Sequence, residues 1–253
     1  MTETQLPVPL DVDAELEAIA RRYRAAGGVG INVLNMIGGR AENLLDRLPD
    51  KVRGQLETAT VKALDHAMSA AHNSRARVPD QASWLNTAVA AAMGAAGGAG
   101  GLPTALAELP VTTTLLLRVI EGVASEYGFD TEAENVRFDC VRVFSAAGPL
   151  SDDDGSDLAF LTARLALSGK AVQTIIHKVA PRLAVVLGQK LAAQAVPVLG
   201  AFAGAATNYA YTSYYQDMAH VHFGLRKLAI EADVSPEELN RRLMEKMRGV
   251  PRG

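Results

Sequence analysis

Apolar residues recur at i, i+3, i+4 spacing along most of the chain, the period of a helix that buries one face. From Asp13 the pattern puts Leu16, Ile19, Ala20 and Tyr23 on one face and Glu15, Glu17, Arg21 and Arg22 elsewhere, with Gly27 and Gly28 ending the run. Ile31, Val33, Leu34, Ile37, Leu44, Leu45 and Leu48 mark a second helical run, loosened by Gly38 and Gly39 and closed before Pro49. Asp50 is placed to cap a third helix, which carries Val52, Leu56, Ala59, Ala63, Leu64, Ala67 and Ala71. After Pro103 a short turn leads into a helix from Glu108, stopped by Gly128 in the left-handed conformation. Thr131 and Glu134 have capping-box spacing ahead of a helix with Val136, Phe138, Cys140, Val141 and Phe144. A helical region from Leu158 to about Leu187 should kink or divide at Pro181. Ser235-Pro236-Glu237-Glu238 opens a final amphipathic helix ending at Gly249. No strand pattern and no internal repeat accompanies these runs. The fold class expected is all-α: an extended arm over residues 1–12, then a single-domain helical bundle over 13–249.

Two stretches break the amphipathic rhythm. From Gln81 to Leu117 the only charged side chain is Glu108, and from Leu191 to Gln216 there is none, in a chain that is 21% charged overall. Both are rich in Ala and Gly, and both are interrupted by proline, at Pro103 and Pro110 in the first and Pro197 in the second. Gly94/Gly98, Gly97/Gly101 and Gly200/Gly204 have the small-xxx-small spacing that lets helix backbones approach closely. The two stretches are therefore expected to form apolar helices that pack together at the centre of the bundle. Gln194, Pro197, Thr207, Asn208, Thr212 and Ser213 argue against reading the second as a membrane span.

At 253 residues the chain is long enough for one large core. A net charge of −3 supplies no basic field, so nucleic acid is not an expected partner. The single Cys140 excludes an internal disulfide and fits a reducing compartment. The N-terminal residues lack the pattern of a secretory signal, so the expected location is cytoplasmic.

Candidate chemistry is sparse. Glu108 and Arg118, if buried, must be paired, because an isolated charge away from water is too costly. They either belong to a polar site in an apolar cleft, together with Thr112, or form structural ion pairs with Arg137, Arg142 or Asp139. Asp217 and His220, three apart, share a helix face, whereas His220 and His222 point roughly 200° apart. Two ligands fall short of a metal site, and Asp65, His66 and His72 form no better cluster. Asp152, Asp153 and Asp154 lack the spacing of a calcium loop; Ser168-Gly169-Lys170 and the glycines from 94 to 101 lack the context of a phosphate loop. No metal and no cofactor is expected. Cys140, on an apolar face, reads as a buried thiol. Tyr209, Tyr211, Tyr214 and Tyr215 close the second uncharged stretch, either as an interfacial belt or as part of a helix leaving the core.

The segments from Gly100 to Asp130 (GGLPTALAELPVTTTLLLRVIEGVASEYGFD) and from Ala180 to Leu228 (APRLAVVLGQKLAAQAVPVLGAFAGAATNYAYTSYYQDMAHVHFGLRKL) resemble the EcsC family of bacterial proteins. The likeness runs from about Trp84 to Leu228, and about the first 70 residues carry nothing that matches. EcsC-like proteins take their name from an operon partner of ATP-binding-cassette transporter components, so the resemblance implies a membrane-linked role and transporter components as partners. It transfers no catalytic residue.

Three functions follow as expectations. The first is a cytoplasmic protein, peripheral at the membrane, that binds lipid or a membrane partner through Gly94, Gly98, Gly101, Pro103, Pro197, Gly200, Gly204, Tyr209 and Tyr214. The second is a hydrolase whose polar site between the central helices gathers Glu108, Thr112, Arg118, Asp217 and His220. The third is a scaffold that presents a helical face to another protein.

Overall fold

The computed structural model describes residues 10–26, 46, 48–75, 92, 101–146, 171–194 and 200–247. The second helical run up to Leu45, residues 1–9 of the expected arm, and Gly94, Gly98 and Pro197 lie outside the described residues. Among those described, the chain is all-α and contains no strand. The helices are α1 (Val12–Ala25), α2 (Asp50–Arg53), α3 (Leu56–Arg75), α4 (Gly101–Glu126), α5 (Glu134–Val143), α6 (Ala171–Gln194), α7 (Gly200–Ala232) and α8 (Pro236–Met247).

Local signals set most of the boundaries. Asp11 caps α1, its carboxylate accepting from the backbone N–H of Asp13 and Ala14 at 3.1 and 3.0 Å. The buried face of α1 is Leu16, Ile19, Ala20 and Tyr23, as the period requires. α4 ends in a Schellman motif: Gly128 has φ +83°, its N–H bonds Ser125 O, and Phe129 N–H bonds Ala124 O. Ser235 Oγ accepts from Glu238 N–H at the start of α8, where Pro236 takes the first position.

Four boundaries depart from expectation. Asp50 is the first residue of α2, behind an N-cap at Pro49 without a side-chain cap, and Gly54 and Gln55 separate this turn from α3. Glu134 opens α5 behind Ala133, too early to serve as the third helical residue of a capping box with Thr131. α6 runs through Pro181 without dividing, and α4 runs through Pro103 and Pro110 without the expected turn. Pro103, in the first turn of α4, removes no helix hydrogen bond, and tertiary packing outweighs the one that Pro110 and Pro181 each remove. The Thr113 and Thr114 hydroxyls bond back to Leu109 O and Pro110 O at 2.8 and 2.7 Å.

The central element is α7, 33 residues and about 50 Å long. It touches α1, α4, α5, α6 and α8. The two charge-poor helices meet as expected: α4 lies parallel to α7, with Glu108 beside Asn208 at one end and Tyr127 beside His220 at the other. α6 runs antiparallel to both, since Lys190 meets Glu108 while the Tyr211 hydroxyl donates to Val186 O at 3.1 Å. α1 packs antiparallel on the later half of α7, and α3 covers α4 and α6. The core is built around Tyr211, Tyr214, Tyr215, Phe144 and Phe223, all fully buried. Edge-to-face contacts join Phe144 to Tyr215 and Tyr214 to Tyr215, at 5.2 and 5.4 Å between ring centres.

Two glycines, one within α4 and one just past its end, separate backbone strain from packing. A Cβ at Gly122 or at Gly128 meets nothing within 4 Å, but only Gly128 is left-handed. Gly122→Ala should stabilise the protein by about 0.5–1 kcal/mol through helix propensity. Gly128→Ala should cost about 1 kcal/mol through the left-handed backbone alone. Urea midpoints of the two variants, displaced in opposite directions from the parent, are the check.

Candidate functional site

Glu108 and Thr112, one turn apart on α4, face Lys190 near the end of α6 and Asn208 near the start of α7. Glu108 Oε1 accepts from Asn208 Nδ2 at 2.8 Å, from Thr112 Oγ1 at 3.1 Å and from Lys190 Nζ at 3.4 Å. Lys190 Nζ also donates to Thr112 Oγ1 at 3.1 Å. Lys190 is 0% exposed and Glu108 8% exposed, so the pair sits inside the protein. Glu108 Oε2 is buried without a hydrogen-bond partner. Burial pushes the Lys190 ammonium down to about 8, and the Glu108 carboxylate limits the fall. An ammonium and a carboxylate in van der Waals surroundings recover their lost hydration only through each other and the two neutral polar groups.

Asp217 and His220 occupy the other half of α7. Asp217 faces Arg22 of α1 at 3.6 Å, and His220 Nε2 lies 3.9 Å from Glu126 Oε2 with the Tyr127 ring edge-on at 5.7 Å. Burial raises the Asp217 carboxyl to about 6, with Arg22 opposing. Burial and the nearby Arg22 cation lower His220 to about 4, and its Nδ1 is buried without a hydrogen-bond partner. At neutral pH His220 is therefore uncharged, and its contact with Glu126 is not an ion pair. Burial also raises the Tyr127 hydroxyl.

A third group joins α5 to α7. Asp139 accepts from Arg226 at 2.7 Å, lies 3.4 Å from His222 Nε2 and 4.0 Å from Arg142, and Arg226 stacks over Phe129 at 4.5 Å. Burial pushes the Asp139 carboxyl up, but His222, Arg226 and Arg142 together hold it below its ordinary value. This is a helix-to-helix clamp, flanked by the buried thiol of Cys140.

The structure brings Glu108 and Thr112 together and keeps the other three hydrolase candidates away from them. Arg118, half-buried, lies ten residues along α4, about 15 Å by helical rise. His220 lies twelve residues beyond Asn208 on α7, about 18 Å away. The five residues do not form one constellation. Of the residues expected to bind, Gly101, Pro103 and Gly200 lie within helices α4 and α7, Gly204 is buried, Tyr209 is 42% exposed and Tyr214 is fully buried. Tyr211, Tyr214 and Tyr215 thus form no interfacial belt but lie in the core, in which α7 continues to Leu228, and Tyr209 alone of the four is exposed. Among the described residues no group of three His, Cys, Asp or Glu is arranged to hold a metal. No described helix is long and apolar enough to cross a membrane.

Sequence reasoning missed Lys190 and Asn208. A signal was present: Lys190 is the only charge from Leu183 to Gln216, as Glu108 is the only charge from Gln81 to Leu117. Two lone opposite charges in segments expected to pack together identify each other as partners.

Removing one member of the buried pair strands the other. Lys190→Met is expected to cost about 3–5 kcal/mol, and the double variant Glu108→Gln with Lys190→Met to be more stable than Lys190→Met alone. Equilibrium urea unfolding of the single and double variants measures the coupling. For Asp217 and His220 the expected readout is a pH slope. Asp217 keeps its proton to about 6 when folded against 3.8 when unfolded, so its contribution to stability falls as pH rises through that window. His220 titrates near 4 when folded against 6.5 when unfolded, so its contribution rises over nearly the same window. The two offset each other in the parent. Asp217→Asn should make stability climb from pH 4 to 6.5, and His220→Gln should make it decline from pH 4 to 6, each by about 1 kcal/mol per pH unit. Slopes of the same sign in both variants would contradict the assignment.

A profile of the EcsC protein family matches residues 34–228, starting well before the segments whose likeness is visible by eye. No curated protein and no solved structure matches the chain. The profile spans most of the sequence, including all of α3 to α6 and nearly all of α7, and the chain belongs to the EcsC family.

Proposed function

We propose that this protein works at a membrane surface and binds lipid with one end of its helical bundle. The observation that carries this is the distribution of charge. Residues 101–117 of α4, 183–194 of α6 and 200–216 of α7 lie at the same end, and their only charged groups are Glu108 and Lys190. Both are buried against each other. On these segments Val111, Val185 and Tyr209 are 50%, 46% and 42% exposed. The opposite end carries Arg22, Glu126, Asp217, Arg226 and Asp139, of which Arg22 and Glu126 are well exposed to water.

Each of the three exposed side chains is already half-buried, so inserting it among lipid chains gains about 1 kcal/mol. Contacts of this size give a weak, reversible attachment. That strength suits a peripheral protein. A transporter component in the same membrane is the protein partner this location would bring within reach.

Purification without detergent followed by native mass spectrometry, alongside flotation with neutral and anionic vesicles, tests the proposal. The expected result is lipid travelling with the folded chain or chain floating with vesicles. A lipid-free mass, together with complete recovery in the vesicle-free fraction for every composition, would overturn it.

A further inference from the structure

Asp217, His220 and Gly224 recur at i, i+3, i+7 along α7 and so share one stripe of that helix. α1 lies along the stripe, with Arg22 beside Asp217 and Ile19 beside Gly224. The end of α4 meets it as well. Glu126 and Tyr127 reach His220, and a Cβ at Gly224 would come within 3.3 Å of the Tyr127 hydroxyl. In this junction of three helices His220 lies inside, 8% exposed, while the side chains of Arg22 and Glu126 stand at the surface, 45% and 55% exposed.

Two contacts in the junction stop just short of hydrogen bonding. Arg22 Nε is 3.6 Å from Asp217 Oδ1, and His220 Nε2 is 3.9 Å from Glu126 Oε2. Each gap has a donor on one side and a carboxylate on the other. Arg22 supplies an N–H at every working pH. In the uncharged imidazole of His220, Nδ1 is buried without a hydrogen-bond partner and Nε2 faces the Glu126 carboxylate, which favours the proton on Nε2. A group that accepts from one side and donates to the other suits both gaps, and a hydroxyl does both. The charges favour a neutral ligand, because Arg22 repels a cation while Asp217 and Glu126 repel an anion. Nor is a metal the better occupant, since no described group of three His, Cys, Asp or Glu is arranged to hold one.

We infer that the junction of α1, α4 and α7 binds a neutral polyol, such as a sugar ring, with one hydroxyl between Arg22 and Asp217 and another between His220 and Glu126. The Tyr127 hydroxyl adds a further donor or acceptor beside them. This site lies toward the other end of α7 from the Glu108 cluster and does not draw on the membrane reading.

The test titrates the full chain at neutral pH with methyl glucoside and, separately, with myo-inositol, following the histidine ring protons by NMR. The expected result is a saturable shift of the signal that His220→Gln removes, with half-saturation below about 10 mM. Cyclohexanol, whose single hydroxyl bridges only one gap, should bind at least about tenfold more weakly to the same parent chain. Arg22→Ala and Glu126→Ala, checked for helicity by circular dichroism, should each weaken polyol binding about tenfold by removing one charged partner. Arg241→Ala, on the surface of α8, should leave it unchanged. No saturable shift with either polyol up to about 100 mM would overturn the inference. So would cyclohexanol binding as tightly as the polyols, or parent-like binding by both Arg22→Ala and Glu126→Ala.

Discussion

Taking an ammonium and a carboxylate out of water costs several kcal/mol per ion, and the loss is recovered only where each finds the other with hydrogen bonds in place. Lys190 and Glu108 meet that condition across 82 residues of chain, and Asn208 joins them across 100. Apolar side chains tolerate sliding and repacking, but a buried pair at 3.4 Å does not. The pair therefore sets the relative register of α4, α6 and α7, and with it the alignment of the two charge-poor helices that the rest of the bundle surrounds.

From that register the polarity of the bundle follows. With Glu108 and Asn208 level, the parallel course of α4 and α7 brings Tyr127 to His220 and collects the remaining ionisable groups of α7 at the far end. There the protein handles burial in two other ways. Asp139 is surrounded by three cationic or protonatable partners that favour its ionised form. Asp217 and His220 instead meet burial by shifting in opposite directions, toward the neutral form of each. α7 thus adjoins a paired charge at one end and a clamped carboxylate at the other, and itself carries Asp217 and His220, whose neutral forms burial favours.

Membership of the EcsC family places the chain among proteins of a common sequence pattern, and the proposed membrane contact rests on the physical asymmetry of the bundle. An end with no surface charge from three converging helix segments is poorly suited to water and poorly suited to electrostatic recognition.

The all-α class, the buried faces of α1 and α5, the left-handed stop at Gly128 and the start of α8 were legible because each depends on residues within one or two turns of one another. The two charge-free stretches were equally plain, as was the necessity that Glu108 find a partner. Which partner was another matter. Arg118, nearer in sequence, is carried about 15 Å along the same helix by its rise, whereas Lys190 is brought to 3.4 Å by the packing of α6 on α4. For the same reason Asp217 and His220 parted from Glu108, Tyr214 turned inward while Tyr209 turned out, and prolines 103 and 181 were absorbed into continuous helices. Period and composition are local properties of the chain; the neighbour of a buried charge, and the fate of a proline, are decided by which helices touch.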